Sequence, residues 1–150
     1  MSPALVFNIA NNGILLFWLL LIMVPRMRVT EVLVHSVAVP VILGLTYLWL
    51  IVEVLFFGAG VPGASFSSLA GVMAFFTSPV AATAGWIHYL VFDLFIGAWE
   101  SRDAQRRGLS HIAVVPCLVV TLLFGPIGFL LYLALRAIFG KGGYPLAEAA

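Results

Sequence analysis

ALVFNIANNGILLFWLLLIMV, residues Ala4–Val24, runs for 21 residues without a charged side chain. A bilayer core about 30 Å thick is crossed by roughly 20 apolar residues wound as helix. The stretch therefore reads as a membrane-crossing helix, closed by Pro25-Arg26-Met27-Arg28. Three further apolar runs follow, at Val37–Phe57, Val80–Trp99 and Ile112–Leu135. The second ends on Gly58-Ala59-Gly60-Val61-Pro62-Gly63, a strong turn signal. Pro116 and Pro126 lie inside the fourth run and Pro40 near the start of the second. Membrane helices tolerate such prolines as kinks. Open strands would leave backbone groups unpaired in lipid, and a barrel would show short alternating segments instead of continuous runs. The expected fold is all-α: one membrane domain over residues 1–150, a bundle of four transmembrane helices at about 4–24, 37–57, 80–99 and 112–135.

Composition points the same way. Of 150 residues, 63% are hydrophobic and 9% charged, whereas soluble domains carry about 25% charged residues. A net charge of +1 gives no footprint for nucleic acid or for an acidic soluble partner. The lone cysteine, Cys117, permits neither an internal disulfide nor a cysteine metal cluster. No phosphate loop, dinucleotide fingerprint or Gly-x-Ser-x-Gly elbow is present. His35, His88 and His111 lie on separate elements without metal-ligand spacing, so no metal is expected. The N-terminus has no basic n-region and no small-residue cleavage site, so the first helix is expected to be retained.

Between the second and third runs lies Ser65–Thr77, which is uncharged and too short to span. Phe66, Leu69, Val72, Met73 and Phe76 recur at helical spacing there, which predicts a short helix at the interface or re-entering the bundle. Arg26 and Arg28 occupy the first loop, and Arg102, Arg106 and Arg107 the third; Arg136 and Lys141 are assigned to the other side. Five against two puts the first and third loops in the cytoplasm and both termini outside. The third loop, Glu100 to Gly108, reads as a solvated connector.

Ionisable groups inside spans cost about 2.5–3.5 kcal/mol each on insertion scales, so each needs a reason. Glu53, His88 and Asp93 stand out. His88 and Asp93 are five apart and diverge by about 140° around a helix, so each is expected to meet a different neighbour. Asp93 falls in register with Trp86 and Glu100 at spacings of seven, a stripe expected to point inward. Asn8, Asn11 and Asn12 share one helical face and suit interhelical hydrogen bonding. Trp18, Trp49, Trp86 and Trp99 lie where interface anchors commonly sit.

The distinctive segment is Gly85-Trp86-Ile87-His88-Tyr89-Leu90-Val91-Phe92-Asp93-Leu94-Phe95. Cys117-Leu118 and Phe124-Gly125-Pro126-Ile127-Gly128 follow it. Together they resemble the family of small membrane proteins typified by the plant abscisic-acid-deficient-type neoxanthin synthase. The resemblance is strongest from Gly71 to Leu135. It implies a carotenoid or other apolar isoprenoid as partner. It also implies an epoxide-opening isomerisation, needing a proton donor at the epoxide oxygen, a base at C7 and no cofactor. His88 and Asp93 are the candidate acid–base pair, because burial tunes such groups. Trp86, Glu53, Asn8, Asn12 and Trp99 are the candidate substrate-binding residues. Unlike the plant pattern, the chain shows no plastid transit peptide and has a short tail, which points to a bacterial member in an inner membrane.

Two other readings stay open. The chain is then a non-catalytic carotenoid-binding or assembly subunit of a membrane complex, or a small transporter subunit. A transporter of 150 residues would have to form a homo-oligomer. Membrane lipid is a partner in every case, and nucleic acid in none.

Overall fold

The computed structural model describes residues 2–139 and Leu146. Lys141, counted in the orientation argument, lies outside the described residues. Among those described, all regular structure is helical, in seven helices: α1 (Pro3–Met23), α2 (Arg28–Leu33), α3 (Ala38–Phe56), α4 (Leu69–Phe75), α5 (Pro79–Arg106), α6 (His111–Phe124) and α7 (Pro126–Ile138). Three helical runs are long and apolar enough to cross a membrane: Pro3–Met23, Arg28–Phe56 (α2 and α3 with the turn between them) and Pro79–Arg106.

The chain divides into two compact units. The first comprises Met1–Leu15 and Val37–Val91. Its core is built from Val6, Ala10 and Ile14 of α1, Leu50 and Val54 of α3, and Ala81, Ala84, Ile87 and Leu90 of α5. Ile42, Leu45 and Leu48 of α3 remain exposed, an apolar outer face suited to lipid. Local signals set the element starts here. Ser68 caps α4 by accepting from the Gly71 N–H at 3.1 Å. Pro79 opens α5, where a missing N–H costs nothing, and the Ser78 hydroxyl donates to the Ala59 carbonyl at 2.7 Å. The helix predicted at 65–77 is therefore shorter, Leu69–Phe75, because its first residues form the capping turn.

The second unit comprises Leu16–Ser36 and Phe92–Ala150. Trp18 and Leu21 of α1 pack in its core with Leu94 and Ala98 of α5, Val114, Cys117 and Leu118 of α6, and Tyr132 of α7. The buried Thr30 hydroxyl donates to the Val24 carbonyl at 2.6 Å, supplying a partner at the C-terminal end of α1.

Two expectations are corrected here. Helix α5 does not stop at Trp99 but continues through Arg106. The expected solvated connector is thus mostly helix, and its Glu100, Ser101 and Asp103 are fully buried. The fourth span is not one helix either. It breaks at Gly125, whose φ of +36° is a conformation that L side chains rarely adopt, and Pro126 then starts α7. The chain reverses at this point. Thr121 and Tyr132 would stand about 16 Å apart along a continuous helix. Yet Thr121 bonds to Glu100 and Tyr132 to Asp103, residues about 4.5 Å apart along α5. Helices α6 and α7 therefore form a hairpin, each arm about 20 Å long.

Candidate functional site

In the first unit, three helices bring aromatic and amide groups together. The Trp86 indole N–H of α5 donates to Asn11 Oδ1 of α1 at 3.0 Å. Phe7 and Tyr89 flank that indole, with ring centroids 5.7 and 5.2 Å away. His88 is exposed on α5, and its ring lies 5.9 Å from that of Tyr47 of α3. Tyr47 adjoins Thr46, which lines a cavity of about 220 Å³ with Val6, Ile9, Ala10, Ile42, Leu43 and Trp49. The cavity opens between α1 and α3 and its walls are almost wholly apolar. Such a wall selects for hydrocarbon, and a volume below the roughly 300–1,000 Å³ of drug-sized sites admits only part of a long ligand.

The sequence-derived candidates are distributed as follows. Trp86 joins α1 through Asn11, the member of the asparagine group that reaches across. Asn12 instead donates to the Asn8 carbonyl of its own helix at 2.8 Å, and both side chains are exposed. Glu53 is half-buried and accepts from the Trp49 indole one turn earlier, at 3.2 Å. Of the stripe expected to face inward, Asp93 and Glu100 are buried and Trp86 is 40% exposed.

Asp93 belongs to the second unit, where its carboxylate lies against the hairpin tip. A Cβ built on Gly125 would stand 2.6 Å from Asp93 Oδ1. Gly125 precedes the first turn of α7, so the carboxylate sits where the helix dipole favours negative charge. The two halves of the distinctive motif, Asp-Leu-Phe and Phe-Gly-Pro-x-Gly, thus meet at this point.

A buried polar cluster of the second unit involves, of the sequence-derived candidates, Trp99 alone among the described residues. Asp103, fully buried, accepts from Arg107 Nε at 2.8 Å and from the Tyr132 hydroxyl at 2.6 Å. It also pairs with the equally buried Arg136 at 3.3 Å. One turn away, Glu100 accepts from the Thr121 hydroxyl at 3.0 Å. Trp99 borders the cluster. Its ring packs on Phe129 and Tyr132, and the Arg136 guanidinium lies 5.9 Å from it. Spacing carried a signal for this group: Glu100, Asp103 and Arg107 share one face of a helix, and so do Tyr132 and Arg136.

At the start of α6, His111 Nε2 donates to the Ile22 carbonyl at 2.8 Å. Elsewhere in the unit, Arg102 donates to His35 Nδ1 at 3.2 Å. This contact requires the His35 tautomer with its proton on Nε2.

Comparison with known proteins agrees with the motif. Residues 5–132 match the family model described as ABA DEFICIENT 4-like. The chain is 28% identical to Protein ABA DEFICIENT 4, chloroplastic, of Arabidopsis thaliana, over 91% of this chain and 62% of that protein. It therefore spans less than two thirds of that relative's length. No solved structure matches. The relative is chloroplastic, and placement in a bacterial inner membrane gains no support from it. A match across residues 5–132 covers most of the 150-residue chain, and on that ground the chain belongs to the ABA DEFICIENT 4-like family.

Proposed function

We propose that this protein acts on, or binds, a carotenoid or a similar apolar isoprenoid within a membrane. Family membership over residues 5–132 carries the reading, and the apolar cavity between α1 and α3 supports it. One end ring of a long polyene enters the cavity, and the remaining chain lies along the apolar exterior.

The epoxide opening implied by the resemblance is a net proton shift. The C6–O bond breaks and the oxygen stays on C5 as a tertiary alcohol. The electron pair of the C7–H bond becomes part of an allene. One proton leaves C7 and one reaches oxygen, so nothing is oxidised and a single imidazole can carry out both transfers. His88, exposed on α5 beside Tyr47, is our candidate for that shuttle. Asp93, the other member of the candidate acid–base pair, is buried beside Gly125 at the hairpin tip. A non-catalytic pigment-holding role is the second reading, favoured by cavity walls that do not include His88.

The test is expression in hosts making different carotenoids, with pigment analysis of extracts and of the purified protein. Conversion to an isomer of equal mass and new retention is expected, with His88→Ala holding pigment but not converting it. Unchanged pigment in fixed ratio would establish the binding role. No pigment effect in any host would overturn the substrate class.

We infer a topology of three spans and one re-entrant hairpin in place of four spans. Arms of about 20 Å fall short of a bilayer core of about 30 Å. Arg136 shares Asp103 with Arg107, so it no longer counts for the opposite side. Every Arg among the described residues then follows α1, ends α5 or ends the hairpin, which puts these ends on one negative side. In a Cys117→Ser background, Phe139→Cys should react with an impermeant maleimide from the same side as Met27→Cys. Ser2→Cys should react from the other side. Labelling of Phe139→Cys together with Ser2→Cys would restore four spans.

A further inference from the structure

The second unit contains a cleft that the carotenoid reading does not use. Its volume is about 530 Å³, and it is lined by Pro25, Arg26, Glu31, His35, Arg102, Gln105 and Arg106. Among the described residues that line it are three guanidinium groups and one carboxylate. That carboxylate, Glu31, is already paired with Arg28 at 2.8 Å. Arginine presents a planar fork of donors that matches phosphate oxygens two at a time. Gln105 adds a neutral amide able to donate a further hydrogen bond. His35 accepts from Arg102 and so helps hold that guanidinium in place.

We propose that this cleft binds a phosphate oxyanion, presented by the headgroup of an anionic phospholipid. The volume far exceeds what one inorganic anion needs and leaves room for a glycerol backbone. Apolar surface for acyl tails lies next to it in the chain: Met23 and Met27 bracket Pro25-Arg26, and Val32 and Leu33 follow Glu31, all four exposed. Basic pockets between membrane helices on the negative side recognise headgroups in this way. The proposal rests on the reading of α1 and α5 as membrane helices, but not on the carotenoid assignment.

The full chain, purified in mild detergent, is exposed to phosphatidylglycerol, phosphatidylcholine or inorganic phosphate. Bound lipid is counted by native mass spectrometry and stabilisation is read by thermal melting. Phosphatidylglycerol should bind in preference to phosphatidylcholine. The Arg26→Gln/Arg106→Gln variant, altered at two exposed side chains, should bind it about thirty-fold more weakly, because each arginine near an anionic surface contributes roughly a factor of five. In the unaltered protein, added potassium chloride should displace phosphatidylglycerol, a readout that does not depend on the variant folding. Protection by inorganic phosphate alone, lost in the variant, would keep the phosphate site and overturn its lipid source. Equal binding of the two lipids, with no salt effect and no phosphate protection, would overturn the site. A chain that stays soluble without detergent would instead overturn the membrane reading, and the inorganic phosphate arm would still report on the cleft.

Discussion

Asp103→Ala is expected to destabilise the protein by about 3–5 kcal/mol, the cost of stranding a buried charge. Arg136 is 1% exposed and pairs with Asp103 at 3.3 Å. Removing the carboxylate takes from a buried guanidinium the opposite charge it pairs with. The buried Tyr132 hydroxyl loses its acceptor at the same time, adding about 1–3 kcal/mol of unmet hydrogen-bonding demand. The two losses share one hub and need not add. Asp103→Asn keeps an acceptor for Tyr132 but not the charge, so it should fall between wild type and alanine. Asp103→Leu combined with Arg136→Met and Tyr132→Phe should recover most of the stability, since replacing a buried ion pair and its hydrogen-bonded hydroxyl with apolar groups is often neutral or favourable. Unfolding in mixed detergent–dodecyl sulfate micelles measures all four proteins. A loss below about 1 kcal/mol for Asp103→Ala would mean that the pair is hydrated.

Gly128→Ala should open the α6–α7 hairpin. A Cβ at this position would overlap the backbone nitrogen and Cα of Thr121 as well as its hydroxyl oxygen. Overpacking usually costs about 1–3 kcal/mol because side chains can shift. Here the obstruction is mostly backbone, so the arms must separate, and the expected cost is at the upper end of that range or above. Thr121→Ala should not rescue the variant, because the backbone overlap remains. Spin labels at the exposed positions Val119 and Leu130 report the distance between the arms, which should lengthen in Gly128→Ala. An unchanged distance with wild-type stability would show that the two helices do not pack through this glycine.

The long apolar helices were largely legible in the sequence, and the reason is physical. A helix facing lipid must be apolar nearly all round, so its existence follows from composition along a window. The runs at 4–24 and 37–57 match α1 (Pro3–Met23) and α3 (Ala38–Phe56) within a residue or so at each end. The same sum is blind to a chain reversal. Residues 112–135 have the same hydropathy whether straight or folded back at Gly125-Pro126, and nothing local reports a φ of +36°. The reversal brings Arg136 onto the same Asp103 that Arg107 holds, a pairing that counting charges by loop cannot register.

The candidate site was legible only in part. Cost inside a membrane singles out His88, Asp93 and Glu53 from sequence, but it does not say which helix each one meets. Asn11 rather than Asn8 or Asn12 bonds to Trp86, because only one member of the face points at α5. Glu100 and Asp103 looked like loop residues, since charge at the end of an apolar run ordinarily marks water. Their burial depends on Thr121, Tyr132 and Arg136, which lie 21 to 33 positions further along the chain. The sequence by itself determined that the chain is helical and apolar enough for a membrane, and where most helices begin. Only the tertiary structure decided that the last apolar run is a hairpin and that its charges are held inside. Pairing of distant residues is an interaction energy between segments, and one-dimensional hydropathy carries no record of it.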